Sequence, residues 1–196
     1  MLPLERQALR ASSDAFTFRP FYGHQPRPDG RLGDSCFSQW WPCPFVVDDV
    51  PYVTAEQFMM AGKARLFSDR EALEKILAES NPSKVKALGR QVRGFDDVLW
   101  AKHRFELVAF GSHAKFSQDA ALEAHLRSTG DAILVEASPR DRLWAIGLGR
   151  ENPLVDEPAM WRGQNLLGFA LVHAREVMAG VLAPIPGGPW RRMVGE

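Results

Sequence analysis

A series of helix-start signals runs through the middle of the chain and constrains its fold more than any other feature. Thr54-Ala55-Glu56-Gln57 has the form of a capping box and predicts a helix that continues to about Phe67. Similar signals predict four more starts. They lie at a second box (68–71), at Asn81-Pro82 with Gly89 as terminator, at Asp96 before a helix over 97–116, and at Ser117 before one through Leu126 that ends at Gly130.

Short apolar runs on either side of these helices predict a small sheet. Strands are expected within 16–22, 45–47, 132–136 and 143–148, and a final helix within 163–178. The pattern predicts an α+β class, a single mostly helical domain with a small β-sheet over residues 16–178. A loose N-terminal segment (1–15) precedes it, and a Gly/Pro-rich extended tail (179–196) follows.

Composition excludes several classes of function. Lys and Arg total 24 and so do Asp and Glu, so general electrostatic binding to nucleic acid or to an anionic membrane is not expected. This composition does not exclude a local basic patch. Apolar runs are too short to span a membrane or form a signal peptide, so we expect a cytoplasmic protein without a membrane partner. Cys36 and Cys43 are expected to be reduced.

Motifs for bound cofactors and metals are absent from the sequence. There is no GxGxxG, GxxxxGK[ST] or GxSxG segment and no HExxH segment. The histidines His103, His113 and His125 do not have the i, i+4 spacing of helical metal ligands. We therefore expect neither a cofactor nor a metal.

Three segments carry candidate chemistry. Glu56 and Lys63 share one helix face, the loop 138–144 combines Asp141 with Trp144, and the helix start at 161–165 could receive a phosphate. From spacing alone, a first-turn acid, a charged turn and a plain helix start are the more common explanations of these three patterns. Trp100 is likewise either a core residue or a stacking surface.

Taken together, the ordered segments resemble the YbiA-like, or NADAR, family. The resemblance begins with FSQWWPCPF (37–45) and YVTAEQFMMAGKA (52–64). It continues through KALGR (86–90), FDDVLW (95–100), AKFSQ (114–118) and TGD (129–131). It ends with LVEASPRDRLWAIGL (134–148) and WRGQNLLG (161–168). Each segment alone is modest evidence, whereas the ordered set over residues 16–178 is specific.

The resemblance implies an N-glycosidase that cleaves the bond between a nitrogen base and ribose. One family substrate class is the phosphoribosylamino-pyrimidine intermediates of early riboflavin biosynthesis, which we take as the main hypothesis. Another is ADP-ribose attached to guanine in nucleic acid. A third hypothesis, from another class, is a non-catalytic module that binds ADP-ribose or NAD. The implied partner is thus a small ribosyl-base or ADP-ribosyl substrate.

The resemblance carries five site residues over to this chain, Glu56, Lys63, Trp100, Asp141 and Trp144, and the physical reading of the sequence adds the others. Glu56, Asp141 and Lys63 are the candidate catalytic residues. We assign Glu56 to the sugar and its attacking water, and Asp141 to general acid catalysis or ribose-hydroxyl binding, although these roles could be exchanged. Lys63 either forms a Schiff base with ribose carbon 1 or pairs with Glu56. The candidate substrate-binding residues are Trp100, Trp144, Ser38, Trp40, Arg90, Lys115, Gln118, Gly163 and Asn165.

Two positions depart from the family pattern. The family usually has His where this chain has Gln57, which puts in doubt any proton shuttle at that position. The family's Trp-Gly-Ile-Gly is here Trp144-Ala145-Ile146-Gly147, so Ala145 adds one methyl group beside the expected pocket.

Overall fold

A computed structural model of the chain describes residues 5–12 and 15–192. Seven α-helices and four short strands occur within these residues. The helices are α1 (Arg6–Ala11), α2 (Ala55–Leu66), α3 (Arg70–Ala78), α4 (Pro82–Arg90), α5 (Asp97–Ser117), α6 (Ala120–Arg127) and α7 (Leu166–Met178). The strands are β1 (Phe18–Phe21), β2 (Phe45–Val47), β3 (Val50–Tyr52) and β4 (Ile133–Glu136).

The strands form two pairs. β1 lies parallel to β4, with Phe18 opposite Ile133 and Phe21 opposite Glu136. β2 and β3 form an antiparallel hairpin. The expected α+β class, mostly helical with little sheet, is confirmed, and the parallel pair brings an early segment of the chain beside a late one.

Most helices begin where the sequence predicts. The Thr54 hydroxyl accepts a hydrogen bond from the Gln57 amide (3.2 Å), and Asn81 accepts from the first amides of α4. The Asp96 carboxylate accepts from the Leu99 amide at 2.7 Å. These caps satisfy backbone donors that have no partner within their own helix.

Two predicted caps are wrong by one or two residues. Asp69, rather than Ser68, caps α3, and Asp119, rather than Ser117, caps α6. Ser68 takes a left-handed backbone conformation (φ 55°), and Ser117 is the last residue of α5. In both cases a carboxylate one or two residues beyond the serine is the acceptor, and its charge also interacts favourably with the helix dipole.

Three further helix boundaries and one strand differ from the prediction. Gly89 lies inside α4, where an added Cβ would collide with the Met60 side chain, and α6 ends at Arg127 before Gly130. Residues 143–148 form no strand; the Ile146 amide alone reaches the end of β4, at the Glu136 carbonyl (3.0 Å). α7 begins at Leu166 because Asn165 takes a left-handed conformation (φ 57°).

Both flanking segments contribute to the core. α1 carries Leu9, which is buried, so the expectation of a loose segment does not hold for residues 6–11; residues 1–4, 13 and 14 lie outside the described part. In the tail, Trp190 is fully buried, with its ring centroid 5.2 Å from that of Phe110 in α5. The tail is therefore packed through Trp190, and its residues 193–196 lie outside the described part.

The long helices α5 and α7 pack against each other, and β4 lies against α7. Cys36 and Cys43 are both free and buried, as expected, and burial raises the pKa of Cys36 to about 12. Within the described ranges, no helix is long and apolar enough to cross a membrane.

Candidate functional site

A cleft of about 610 Å³ opens where α2, α4, the start of α5, the end of β4 and the loop after it come together. This volume lies within the range of small-molecule pockets, roughly 300–1,000 Å³. Eight of the twelve candidate residues line the cleft: Ser38, Trp40, Glu56, Lys63, Arg90, Trp100, Asp141 and Trp144.

Glu56 lies at the buried end of the cleft, in the first turn of α2, and only 2% of its surface is exposed. Its amide donates to the Gln39 carbonyl (2.9 Å), which fixes the start of the helix against residues 38–40. The Oε1 atom is buried without a hydrogen-bond partner among the described residues. An unpaired buried acceptor costs free energy, so this oxygen is available for a substrate or a proton.

Burial is the main cause that raises the pKa of Glu56, to about 7. The positive charge of Lys86, a hydrogen bond from Trp40 and the charge of Arg90 act in the opposite direction, while the charge of Asp141 raises the pKa further. Glu56 can therefore exchange a proton near neutral pH, as a general acid or base must.

Asp141 reaches the same cleft from the loop after β4. Its Oδ1 atom accepts hydrogen bonds from the amides of Leu143 and Trp144, both at 2.8 Å. This turn holds the carboxylate in one orientation, beside the ring of Trp144 that also lines the cleft. Glu56 and Asp141, which come from distant parts of the sequence, thus share one cavity.

Lys63, two turns along α2 from Glu56, forms part of the same wall. Its Nζ atom donates to the Gly89 carbonyl (2.9 Å) and lies 4.1 Å from the centroid of the Phe95 ring. Burial lowers its pKa, and the charge of Asp97 acts in the opposite direction. The observed partner is the Gly89 carbonyl rather than Glu56.

Aromatic rings and cations complete the walls. Trp100 is 7% exposed, whereas Trp40 and Trp144 are half-buried, so all three offer ring surface to a flat ligand. The Lys86 ammonium lies 5.8 Å from the centroid of the Trp40 ring. Arg90 and Arg140 are exposed at the cleft and are suited to bind phosphate.

Four candidates lie outside the cleft lining and make structural contacts. Lys115 is fully buried and donates to the carbonyls of Cys36 (2.6 Å) and Ser38 (2.9 Å). Gln118 makes two hydrogen bonds to the backbone of Val46. Gly163 packs against the backbone of residues 142 and 145, where a Cβ would not fit.

The fourth, Asn165, bridges α7 and β4. It is buried, its Nδ2 donates to the Leu134 carbonyl, and its Oδ1 accepts from the Glu136 amide, both at 2.9 Å. These bonds hold the end of β4 in place, close to the cleft. Asn165 therefore positions the wall of the cleft from behind.

Gln57, where the family usually has His, also serves the scaffold. Its Oε1 accepts from the Val53 amide, and its Nε2 donates to three carbonyls at the end of α3, those of Ile76, Leu77 and Glu79. These hydrogen bonds hold the buried Gln57 side chain against α3, and Gln57 does not line the cleft.

Three charged residues of the cleft are not among the twelve candidates predicted from the sequence: Lys86, Glu136 and Arg140. Glu136 is the only charged residue of β4 and directly precedes the loop that carries Asp141. A carboxylate at the end of an otherwise apolar strand is the sequence feature that could have predicted Glu136 as a site residue. Among the residues described, no group of three or more His, Cys, Asp or Glu side chains could hold a metal ion.

Comparisons with known proteins give one consistent family. Residues 21–179 match the NADAR domain family. An N-glycosidase of Acanthamoeba polyphaga mimivirus is 43% identical over 151 residues, which cover 74% of this chain and 89% of the relative. A riboflavin biosynthesis protein of Vibrio vulnificus is 26% identical over 158 residues, or 81% of this chain and 38% of the relative. The solution structure of YbiA from Escherichia coli superposes with a TM-score of 0.66 and 27% identity, over 91% of this chain and 94% of that one.

Proposed function

The chain belongs to the NADAR domain family, and we propose that its cleft hydrolyses the N-glycosyl bond between a ribose and a nitrogen base. The observation that carries this proposal is that Glu56 and Asp141 line one cavity together with Trp100 and Trp144. The similar mimivirus protein is itself named an N-glycosidase, which supports the same reaction.

The chemistry of this bond accounts for the kinds of residue in the cleft. Its cleavage builds positive charge on the ribose ring and negative charge on the departing base. A carboxylate beside ribose carbon 1 stabilises the first charge and activates water, and an acid that protonates the base relieves the second. We assign Glu56 to the sugar and its water, and Asp141 to the ribose hydroxyls or to the base.

The tryptophans and cations of the cleft suit the two ends of such a substrate. Trp100 and Trp144 offer ring faces for stacking on a planar base. Lys86, Arg90 and Arg140 offer positive charge to a phosphate on the ribose. A base, a ribose and one phosphate therefore match the available groups.

We propose phosphoribosylamino-pyrimidines of early riboflavin biosynthesis as the substrate class. The support is that a similar Vibrio vulnificus protein is named a riboflavin biosynthesis protein, although this chain spans only 38% of its length. The cleft volume of about 610 Å³ suits a substrate of this size.

ADP-ribose attached to guanine is the second candidate. It is favoured by the exposure of Arg90 and Arg140, which leaves cationic groups at the opening for a diphosphate that extends outwards. A single modified base could be bound in this way despite the zero net charge of the chain.

Lys63 allows two routes of attack on ribose carbon 1. Water attacks directly when Lys63 remains protonated, whereas a neutral Lys63 amine forms an imine that water later hydrolyses. Burial lowers the pKa of Lys63, which favours the second route.

A direct comparison of substrates tests the proposal. The purified chain is incubated with a phosphoribosylamino-pyrimidine and, separately, with an ADP-ribosylated guanine oligonucleotide, and the free base or ADP-ribose is followed by chromatography. A higher kcat/KM for the first supports the main proposal, and a higher value for the second supports the alternative. If neither is cleaved while ADP-ribose binds tightly, the chain is a binding module.

A further inference from the structure

Glu136 is a third carboxyl group in the cleft, and the mechanism above does not use it. It ends β4, and its half-buried side chain lines the same cavity as Glu56 and Asp141. Its Oε2 atom is buried and has no hydrogen-bond partner within the described ranges. The unfilled acceptor points to a proton or a substrate group as its partner.

The backbone of Glu136 is fixed from two sides. Its amide donates to Asn165 Oδ1 (2.9 Å), and its carbonyl accepts from the Ile146 amide (3.0 Å). Phe21 of β1 lies beside it in the parallel pair. The side chain therefore projects from a rigid strand end, which suits a group that must hold a reacting atom in place.

The surrounding charges favour a neutral Glu136. Burial is the main cause that raises its pKa, to about 8; the negative charges of Asp141 and Glu56 raise it further, and the positive charge of Lys86 opposes them. Burial also raises the pKa of Glu56, to about 7, but a hydrogen bond from Trp40 favours the charged form of Glu56. Glu136 instead faces the negative charges of Asp141 and Glu56. Two carboxyl groups in such different environments are suited to divide base and acid roles.

We propose that Glu136 is the general acid that protonates the departing base, a role that rests on the N-glycosidase function proposed above. The bond between ribose carbon 1 and the base nitrogen breaks, and its electron pair stays on that nitrogen. The nitrogen takes the carboxyl proton of Glu136. Water forms the new bond to carbon 1 and gives its proton to the Glu56 carboxylate, and proton exchange with solvent restores both groups.

Asp141 then has a different task. Two backbone amides hold its Oδ1 atom, so it presents a fixed acceptor in the cleft. Such a group is suited to accept hydrogen bonds from the ribose hydroxyls and to stabilise positive charge on the ribose ring. If Glu136 supplies the proton, hydroxyl binding is the role that remains for Asp141. The leaving base needs the same proton whether water or Lys63 attacks carbon 1.

The decisive variant is Glu136→Gln, which keeps the shape of the side chain but cannot transfer a proton. We expect kcat at pH 7 to fall on the order of 10²–10⁴-fold, with KM changed by a few-fold at most. The wild-type rate should fall as pH rises above about 8, and this basic limb should be lost in the variant. Glu74→Gln, at an exposed position of α3, is the matched control.

A second measurement does not depend on turnover. Carbon-13 NMR of labelled glutamate side chains, assigned with Glu136→Gln, should show Glu136 ionising near pH 8 in the folded enzyme. Ionisation near pH 4.5 would overturn the proposal, and so would a Glu136→Gln variant with wild-type kcat and pH profile. That last result would leave the N-glycosidase function intact, whereas a wild-type protein that cleaves no substrate would overturn both proposals.

Discussion

Glu56 in α2 and Glu136 at the end of β4 lie on the same cleft, and each buries one carboxyl oxygen that has no hydrogen-bond partner in the described part of the chain. The charge of Glu56 contributes to the raised pKa of Glu136. A buried acceptor without a partner costs free energy, and these two oxygens belong to carboxyl groups that line the same cleft. We attribute the arrangement to catalysis, and the following predictions test it.

Glu56→Gln should abolish most of the turnover without unfolding the protein. Gln cannot activate water, so we expect kcat to fall on the order of 10²–10⁴-fold. Base release measured by chromatography gives the rate, and circular dichroism checks the fold. Glu71→Gln is a matched control, because Glu71 occupies the first turn of α3 but is exposed. Near-normal turnover of Glu56→Gln would remove Glu56 from the mechanism.

Stability should depend on pH through the same two carboxyl groups. Because their pKa values are raised from 4.5 to about 7 and about 8, the folded state binds protons more tightly than the unfolded chain. Their contribution to stability is therefore present at low pH and is lost as pH rises from about 4.5 through 7 and 8.

Replacement of both groups should remove this dependence. Wild type should lose stability between pH 5 and pH 8, and the double variant Glu56→Gln/Glu136→Gln should not. The unfolding free energy of the variant minus that of wild type should therefore rise over this range, on the order of 1–3 kcal/mol for each group. Urea unfolding at both pH values measures the difference. An equal difference between wild type and variant at the two pH values would show that neither group titrates abnormally.

Borohydride trapping should distinguish attack on ribose carbon 1 by water from attack by Lys63. If its amine forms an imine with ribose carbon 1, borohydride added during turnover reduces that imine, and mass spectrometry finds the sugar on Lys63. Lys63→Arg keeps the charge but cannot form the imine, so we expect no adduct and at least a 100-fold lower kcat. Lys75→Arg on the exposed face of α3 is the control. Active enzyme without an adduct would indicate direct attack by water.

Lys115→Met should destabilise the protein and disturb the cleft indirectly. The variant leaves the buried Cys36 carbonyl without its donor, whereas the Ser38 carbonyl keeps the hydrogen bond from the Trp41 amide (3.2 Å). We expect the loss to cost about 1–3 kcal/mol of unfolding free energy. Because Ser38 lines the cleft, KM should also rise. Lys102→Met, exposed on the same helix, is the comparison, and equal urea midpoints for the two variants would contradict the role assigned to Lys115.

The helices were predictable from local signals, and the site only in part. Thr54, Asn81 and Asp96 cap their helices through hydrogen bonds within three residues, so the sequence contains the whole interaction. The resemblance to the family, rather than spacing, led to Asp141 and Trp144. Those assignments remain proposals as far as their roles are concerned.

What could not be predicted depends on contacts between distant segments. The cleft position of Glu136 follows from the pairing of β1 with β4 and from the Asn165 side chain, neither of which leaves a local pattern. The burial of Lys115 follows from packing against the Cys36–Ser38 segment. Similarly, residues 143–148 have the apolar content of a strand, but no strand pairs with them in the described structure.

The central claim is that this cleft hydrolyses a ribose–nitrogen bond, and product stoichiometry tests it most directly. A purified sample is given a phosphoribosylamino-pyrimidine at pH 7.5, and free pyrimidine and ribose 5-phosphate are quantified together by chromatography and mass spectrometry. Equal amounts of the two products, formed over many turnovers by wild type and lost in Glu56→Gln, are the predicted result. An intact substrate after prolonged incubation with folded wild-type protein, or products formed equally well by Glu56→Gln, would contradict it.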